Sequence, residues 1–189
     1  MNPQDEVLQC YARARVSAPP GAPVMALHIG EQCTEVAAGR GAHPAATLRL
    51  DIGARKTATE FLHHSPPTPL EMEYSIAAVE DEVMRALPLR EAGAELVCQD
   101  AWVAGISRLS GVPPGSSATL SLDAMERTFL RLAAVSEGRP IAQDGLPDKP
   151  EFAATLLILR EFMHHLRFAS LTVVDAAGQA AAGESSSAA

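Results

Sequence analysis

The stretch that most constrains this chain is Val24–Glu35, V-M-A-L-H-I-G-E-Q-C-T-E. Val24 to Ile29 is an uninterrupted apolar run broken only by His28, the pattern of a strand buried on both faces. Gly30-Glu31-Gln32-Cys33 is a turn, and Thr34-Glu35 leads back out. A strand that ends in a bare turn is a way of holding phosphate, because backbone N–H groups without side chains in front of them can point at an anion. Here the turn has one glycine and a carboxylate, so it has the architecture of a phosphate loop with altered chemistry.

The 189 residues fit one domain with short tails and a full core. Aromatic residues make up 4% of the chain, so the core is expected to be aliphatic and alanine-rich. A net charge of −8 argues against nucleic acid or an anionic membrane as a non-specific partner. Cys10, Cys33 and Cys98 form no CxxC pair and point to a reducing compartment. No apolar run approaches the roughly 20 residues of a membrane helix, and the M-N-P-Q-D-E start has no basic signal-like region. The expected location is therefore the cytoplasm.

Along the chain, a short helix is predicted around Val7–Arg15, ended by the linker-like Ser17-Ala-Pro-Pro-Gly21. Strands follow at Val24–Ile29, Thr34–Ala38 and Thr47–Ile52, and their short links predict an antiparallel meander. His63-His64-Ser65-Pro66-Pro67 reads as a break. Thr68-Pro69-Leu70-Glu71 then supplies a helix start with a threonine cap, proline at the first helical position and a glutamate placed for a capping box. Ile76, Val79, Val83 and Leu87 form its apolar stripe, and its acidic residues form a solvated face. Glu95–Cys98 is a strand, Trp102–Leu109 a helix, and Ser121 caps a helix running to about Val135. Phe152–Phe168 is the most apolar helix, and Leu171–Val174 the last strand. The order predicts an α/β fold with a mixed five-stranded sheet flanked by helices. Residues 1–21 are expected to be an extension and linker, 22–178 the folded lobe, and 179–189 a disordered tail.

These residues carry a resemblance. Over roughly Val24–Gly183 the chain resembles the second lobe of the exopolyphosphatase and guanosine pentaphosphate phosphatase family. That lobe opens with a strand and D-I-G-G-G-S-T-E, where this chain has His28-Ile29-Gly30-Glu31-Gln32-Cys33-Thr34-Glu35. A family strand ending in L-G, a Thr/Glu-Phe segment and a proline pair are matched by Leu50-Asp51-Ile52-Gly53, Thr59-Glu60-Phe61 and Pro66-Pro67-Thr68-Pro69. The family's phosphate-binding G-G-T turn is replaced by Val97-Cys98-Gln99-Asp100-Ala101. Ser121–Glu126 and Leu130–Val135 match the next helix well. Gly145-Leu146-Pro147 matches the family's G-L-P, but the Arg-Ala-Asp that follows there is replaced by Lys149-Pro150-Glu151 and its neighbours, and the last strand's S-D-x-G becomes Val174-Asp175-Ala176-Ala177-Gly178.

The resemblance implies a single ribonuclease H-like (actin-like ATPase) lobe. It also implies that the Asp of the first loop, here His28, helps to hold a metal, and that the glycines replaced by Glu31 and Gln32 wrap a phosphate. A carboxylate beside bound phosphate adds repulsion of about 1–4 kcal/mol at about 4 Å. The family's catalytic carboxylate lies on a preceding lobe. Only residues 1–23 precede the first strand here, so that lobe is expected to be absent.

Glu35 is the candidate catalytic acid, the alternative being an exposed strand residue. Gly30, Cys33 and Thr34 are the candidate phosphate-binding positions of the degenerate loop. Cys33 is also weighed as a nucleophile, against a pKa raised by Glu31. His63-His64 and His164-His165 are weighed as metal ligands. Neighbouring helical residues diverge by about 100°, and further ligands at zinc-site spacing are missing, so no metal site is predicted. Leu50–Thr57 is weighed as a second phosphate loop, against the bulk of the residues after Gly53. The reading that follows is a non-catalytic, single-lobe relative acting as an interaction or regulatory module, as a homodimer or covered by a protein partner, with no cofactor. The alternatives are a phosphohydrolase completed by a partner lobe, which would need magnesium, and a binder of phosphorylated ligands without turnover.

Overall fold

The computed structural model describes residues 2–115 and 117–174. Three strands come first: β1 (Val24–Ile29), β2 (Thr34–Gly39) and β3 (Ala46–Leu50), paired antiparallel as a meander. β4 (Glu95–Cys98) lies parallel to β1 on its other side, and β6 (Ser170–Val174) lies parallel to β4. β5 (Ser117–Ser121) closes the edge antiparallel to β6, giving the order β3-β2-β1-β4-β6-β5. All six residues of β1 and all six of β2 are buried, which is why the opening apolar run lies inside the sheet. The sheet thus has six strands where five were predicted. β5 was missed because it is an edge strand in which Leu120 alone is buried.

One sheet face is covered by α1 (Pro3–Ser17), whose Val7, Cys10, Tyr11 and Ala14 pack on Val24, Ala26, Ala37 and Val97. Asn2 caps this helix, its side chain accepting from the Gln4 N–H at 3.4 Å. The helix is longer than predicted and belongs to the packed body of the lobe rather than standing off as an extension.

The other face carries α2 (Ala54–Phe61), α3 (Pro69–Met84), α4 (Ala101–Leu109), α5 (Leu122–Ser136) and α7 (Pro150–His165), with the short α6 (Ile141–Asp144) between the last two. From Phe152 to Leu159 every residue of α7 is buried, as expected of a helix surrounded by its neighbours. The predicted capping box at the start of α3 forms: Glu71 N–H donates to Thr68 Oγ1 at 3.3 Å, and Thr68 N–H to Glu71 Oε2 at 2.7 Å. β3 ends at Leu50 rather than Ile52, and α2 occupies a stretch for which no helix was predicted. Among the described residues no helix is long and apolar enough to cross a membrane. The predicted tail and the match at Asp175–Gly178 lie outside the described residues.

Candidate functional site

Parallel strands β1 and β4 end side by side, the position at which open α/β sheets collect ligands. A cleft of about 640 Å³ lies there, bounded by α1, the 30–33 turn and the β4–α4 junction. Its floor carries a short polar chain. Asp100 occupies the cap position of α4 without capping it through its side chain. Its Oδ2 instead accepts the Ile29 N–H at 2.7 Å, and its Oδ1 lies 2.7 Å from His28 Nδ1. Glu6 on α1 places Oε2 3.6 Å from the same ring nitrogen.

Further hydrogen bonds tie α1 to the end of β4. Gln99 Nε2 donates to the Glu6 carbonyl at 3.1 Å, and Arg13 Nη1 donates to Gln99 Oε1 at 3.0 Å. His28 and Asp100 are buried. Burial disfavours the imidazolium, but the hydrogen bond to Asp100 and the charges of Asp100, Glu6 and Glu35 outweigh it and hold the His28 pKa above its ordinary value.

The turn itself is closed from within. Gly30 N–H donates to the Cys33 carbonyl at 2.9 Å. From below, the backbone at Gly53 abuts the turn: a Cβ there would lie 2.6 Å from Cys33 N and from Gln32 C. The Ala54 N–H donates to the Gly30 carbonyl, and those of Arg55 and Lys56 to the Glu31 carbonyl, each at 2.9 Å. The first donors of α2 are therefore satisfied by the turn's own carbonyls, and Leu50–Thr57 is not a second phosphate loop. Glu31 extends to Arg55 at 2.7 Å, with both side chains largely exposed.

The predicted site residues separate on this frame. Gly30 lines the cleft, whereas Cys33, Thr34 and Glu35 do not. Thr34 is buried and its Oγ1 donates to the Ile52 carbonyl at 2.9 Å, which ties β2 to the segment after β3. Cys33 is buried and its thiol pKa is raised, first by burial and then by Glu35 against the opposing charge of Arg49, so it is a poor nucleophile at neutral pH. Glu31, the expected cause, is not the source of that shift. Glu35 is buried rather than exposed, opposite His28 on β1 and Arg49 on β3. His64 pairs with Glu71 at 2.8 Å, and His165 lies 3.0 Å from Glu161, at separate places on the lobe. The one group among the described residues whose donors converge as metal ligands do is Glu6, His28 and Asp100. The sequence reading missed Glu6 and Asp100. For Asp100 the available signal was an acid just past the carboxyl end of a buried strand, where open α/β sheets bind ligands, whereas Glu6 lies within α1.

No protein-family model matches the sequence, and no curated protein gives a significant match. Solved structures do match. A Ppx/GppA enzyme of Aquifex aeolicus superposes with a TM-score of 0.76 at 19% identity, over 93% of this chain and 60% of its own. The fold is that of the Ppx/GppA phosphatases. The type II structure of the Aquifex aeolicus phosphatase gives 0.73 at 20% identity, over 90% of this chain and 59% of that one. An exopolyphosphatase from Cytophaga hutchinsonii gives 0.64 at 14%, over 93% and 60%. The chain spans about three fifths of the length of these structures.

Within the Ppx/GppA fold, His28 stands where the sequence resemblance implies a metal-holding carboxylate. Magnesium demands oxygen donors in near-octahedral array and gives up its waters reluctantly. An imidazole nitrogen bonded to Asp100 at 2.7 Å does not meet that demand. The residues present do not fit magnesium.

Proposed function

We propose that this chain is a non-catalytic relative within the Ppx/GppA fold, acting as an interaction or regulatory module. The observation that carries the reading is the His28–Asp100 pair: the end of β1 is occupied by an imidazole and carboxylate of the chain itself. An imidazole in place of a carboxylate removes one of the oxygen donors that magnesium prefers. Metal-assisted phosphoryl transfer depends on such an ion to offset charge on the reacting phosphate. The degenerate turn supports the same reading, because Glu31 and Gln32 stand where bare backbone would face phosphate, and Cys33, Thr34 and Glu35 turn away from the cleft.

Phosphate release from polyphosphate and from guanosine pentaphosphate, with magnesium present, tests this. The expected result is release no faster than the protein-free blank. Magnesium-dependent release that disappears in Glu35→Gln would overturn the proposal in favour of a phosphohydrolase.

A further inference from the structure

The floor of the cleft gathers three metal-ligating side chains from three different places in the fold. His28 Nδ1 can carry one proton, and Asp100 Oδ1 at 2.7 Å takes it. A second carboxylate, Glu6, nonetheless converges on that same nitrogen at 3.6 Å, and the ring has no second hydrogen there for it to accept. Three donor atoms, from α1, the end of β1 and the β4–α4 junction, lie within 4.8 Å of one another.

We propose that Glu6, His28 and Asp100 form a mononuclear site for a divalent transition metal of the zinc class, with magnesium excluded. Zinc takes imidazole nitrogen at about 2.0–2.1 Å and carboxylate oxygen at about 2.0–2.2 Å, so tetrahedral neighbours stand about 3.3 Å apart. The separations of 2.7 and 3.6 Å from Nδ1 bracket that value, and the two carboxylate oxygens lie within 4.8 Å of each other. The metal takes the place of the Nδ1 proton, which leaves to solvent when the ring starts as imidazolium, and the ring keeps its other proton on Nε2. One imidazole and two carboxylates suit a borderline metal better than a hard one, and two negative charges balance a dication.

The donors are held by their surroundings. Asp100 is fixed by the Ile29 N–H at 2.7 Å, and the Glu6 backbone is fixed by Gln99, itself held by Arg13. Hydrogen bonds of this kind orient ligands and raise metal affinity. The cleft above leaves room for water as the remaining ligand.

The metal-free full chain is dialysed at near-neutral pH against zinc chloride, and separately against magnesium chloride, and bound metal is counted. One zinc per chain and no magnesium are expected. Glu6→Gln, a partly exposed helix position that leaves the packed core intact, weakens zinc uptake by at least about tenfold, and Asp100→Asn abolishes it. The double variant His63→Ala with His64→Ala leaves it unchanged. Cobalt substituted for zinc gives the intense visible absorption of four-coordinate cobalt, lost in Glu6→Gln, a readout that needs no buried residue changed. Absence of zinc from the wild-type chain, or uptake and cobalt spectrum untouched by Glu6→Gln, overturns the proposal. Neither readout involves turnover, so its failure is distinct from failure of the non-catalytic reading.

Discussion

Replacing Gly53 with alanine adds a methyl group where three backbone atoms already stand. The added Cβ would lie 2.6 Å from Cys33 N, 2.6 Å from Gln32 C and 2.8 Å from Glu31 C. Relaxed carbon contacts need about 3.5–4.0 Å, so the turn must move by nearly 1 Å. The backbone of Gly53 is extended, with φ −159° and ψ 162°, so alanine brings no dihedral strain and the effect is purely one of space. Forced overpacking costs about 1–3 kcal/mol. Moving the turn also weakens the three bonds from Ala54, Arg55 and Lys56 to its carbonyls, each a net contribution of about 1 kcal/mol. Alanine recovers about 0.4–1 kcal/mol by restricting the unfolded chain. The net is a loss of about 3 kcal/mol, which for a domain of this size lowers Tm by roughly 6–12 °C. Thermal unfolding followed by circular dichroism reads it. The matched control is Gly105→Ala, inside α4, where the nearest atom to the new Cβ is Arg108 Nη2 at 3.9 Å. That variant gains about 0.5–1 kcal/mol from helix propensity. A Gly53→Ala melting temperature within about 2 °C of wild type, or one above that of Gly105→Ala, would refute the idea that Gly53 holds the turn closed from below.

Two further outcomes follow from the same structure. Burial alone would raise the Glu71 pKa, but hydrogen bonds from the Thr68 N–H, the His64 ring, the Thr68 hydroxyl and the His63 N–H outweigh it and lower it to about 2. Because the folded pKa lies below the unfolded one, the stabilisation is complete above about pH 4.5 and is lost as pH falls towards about 2. Glu71→Ala therefore costs about 1–2 kcal/mol near neutral pH, and the gap to wild type closes in acid; a gap that is unchanged at low pH contradicts the assignment. As an interaction module the chain is also proposed to self-associate as a homodimer, with the exposed Leu70 and Tyr74 of α3 as candidate contact residues. Light scattering at micromolar concentration is expected to give the dimer mass, and a monomer mass would remove that part of the proposal.

What the sequence made legible was the part of the fold governed by local pattern. β1 and β2 declare themselves through buried runs, and α3 through Thr68 and Glu71, whose capping box depends on neighbours in sequence alone. α2 was not legible because Gly53 gives its start no side-chain cap. Its first donors end on the carbonyls of Gly30 and Glu31, from a turn more than 20 residues earlier. β5 was hidden for a related reason, since its pairing with β6 joins segments far apart in the chain. The site shows the same limit more sharply. His28 could be read as a departure from an aspartate, but its partner Asp100 is 72 residues away and Glu6 lies on a different element. The alternative of Glu35 as an exposed strand residue does not hold, because β2 is an interior strand paired with β1 at His28 and with β3 at Arg49, and Glu35 is buried.

In the proposed reading the end of β1 is filled by the chain's own imidazole–carboxylate pair instead of magnesium and phosphate. Histidine ring signals of the nitrogen-15-labelled chain, titrated with magnesium chloride and inorganic phosphate, address this atom by atom. In the metal-free chain, His28 is expected to keep a protonated, hydrogen-bonded Nδ1, and its signals are expected not to move. A saturable shift of the His28 ring that requires magnesium would contradict it.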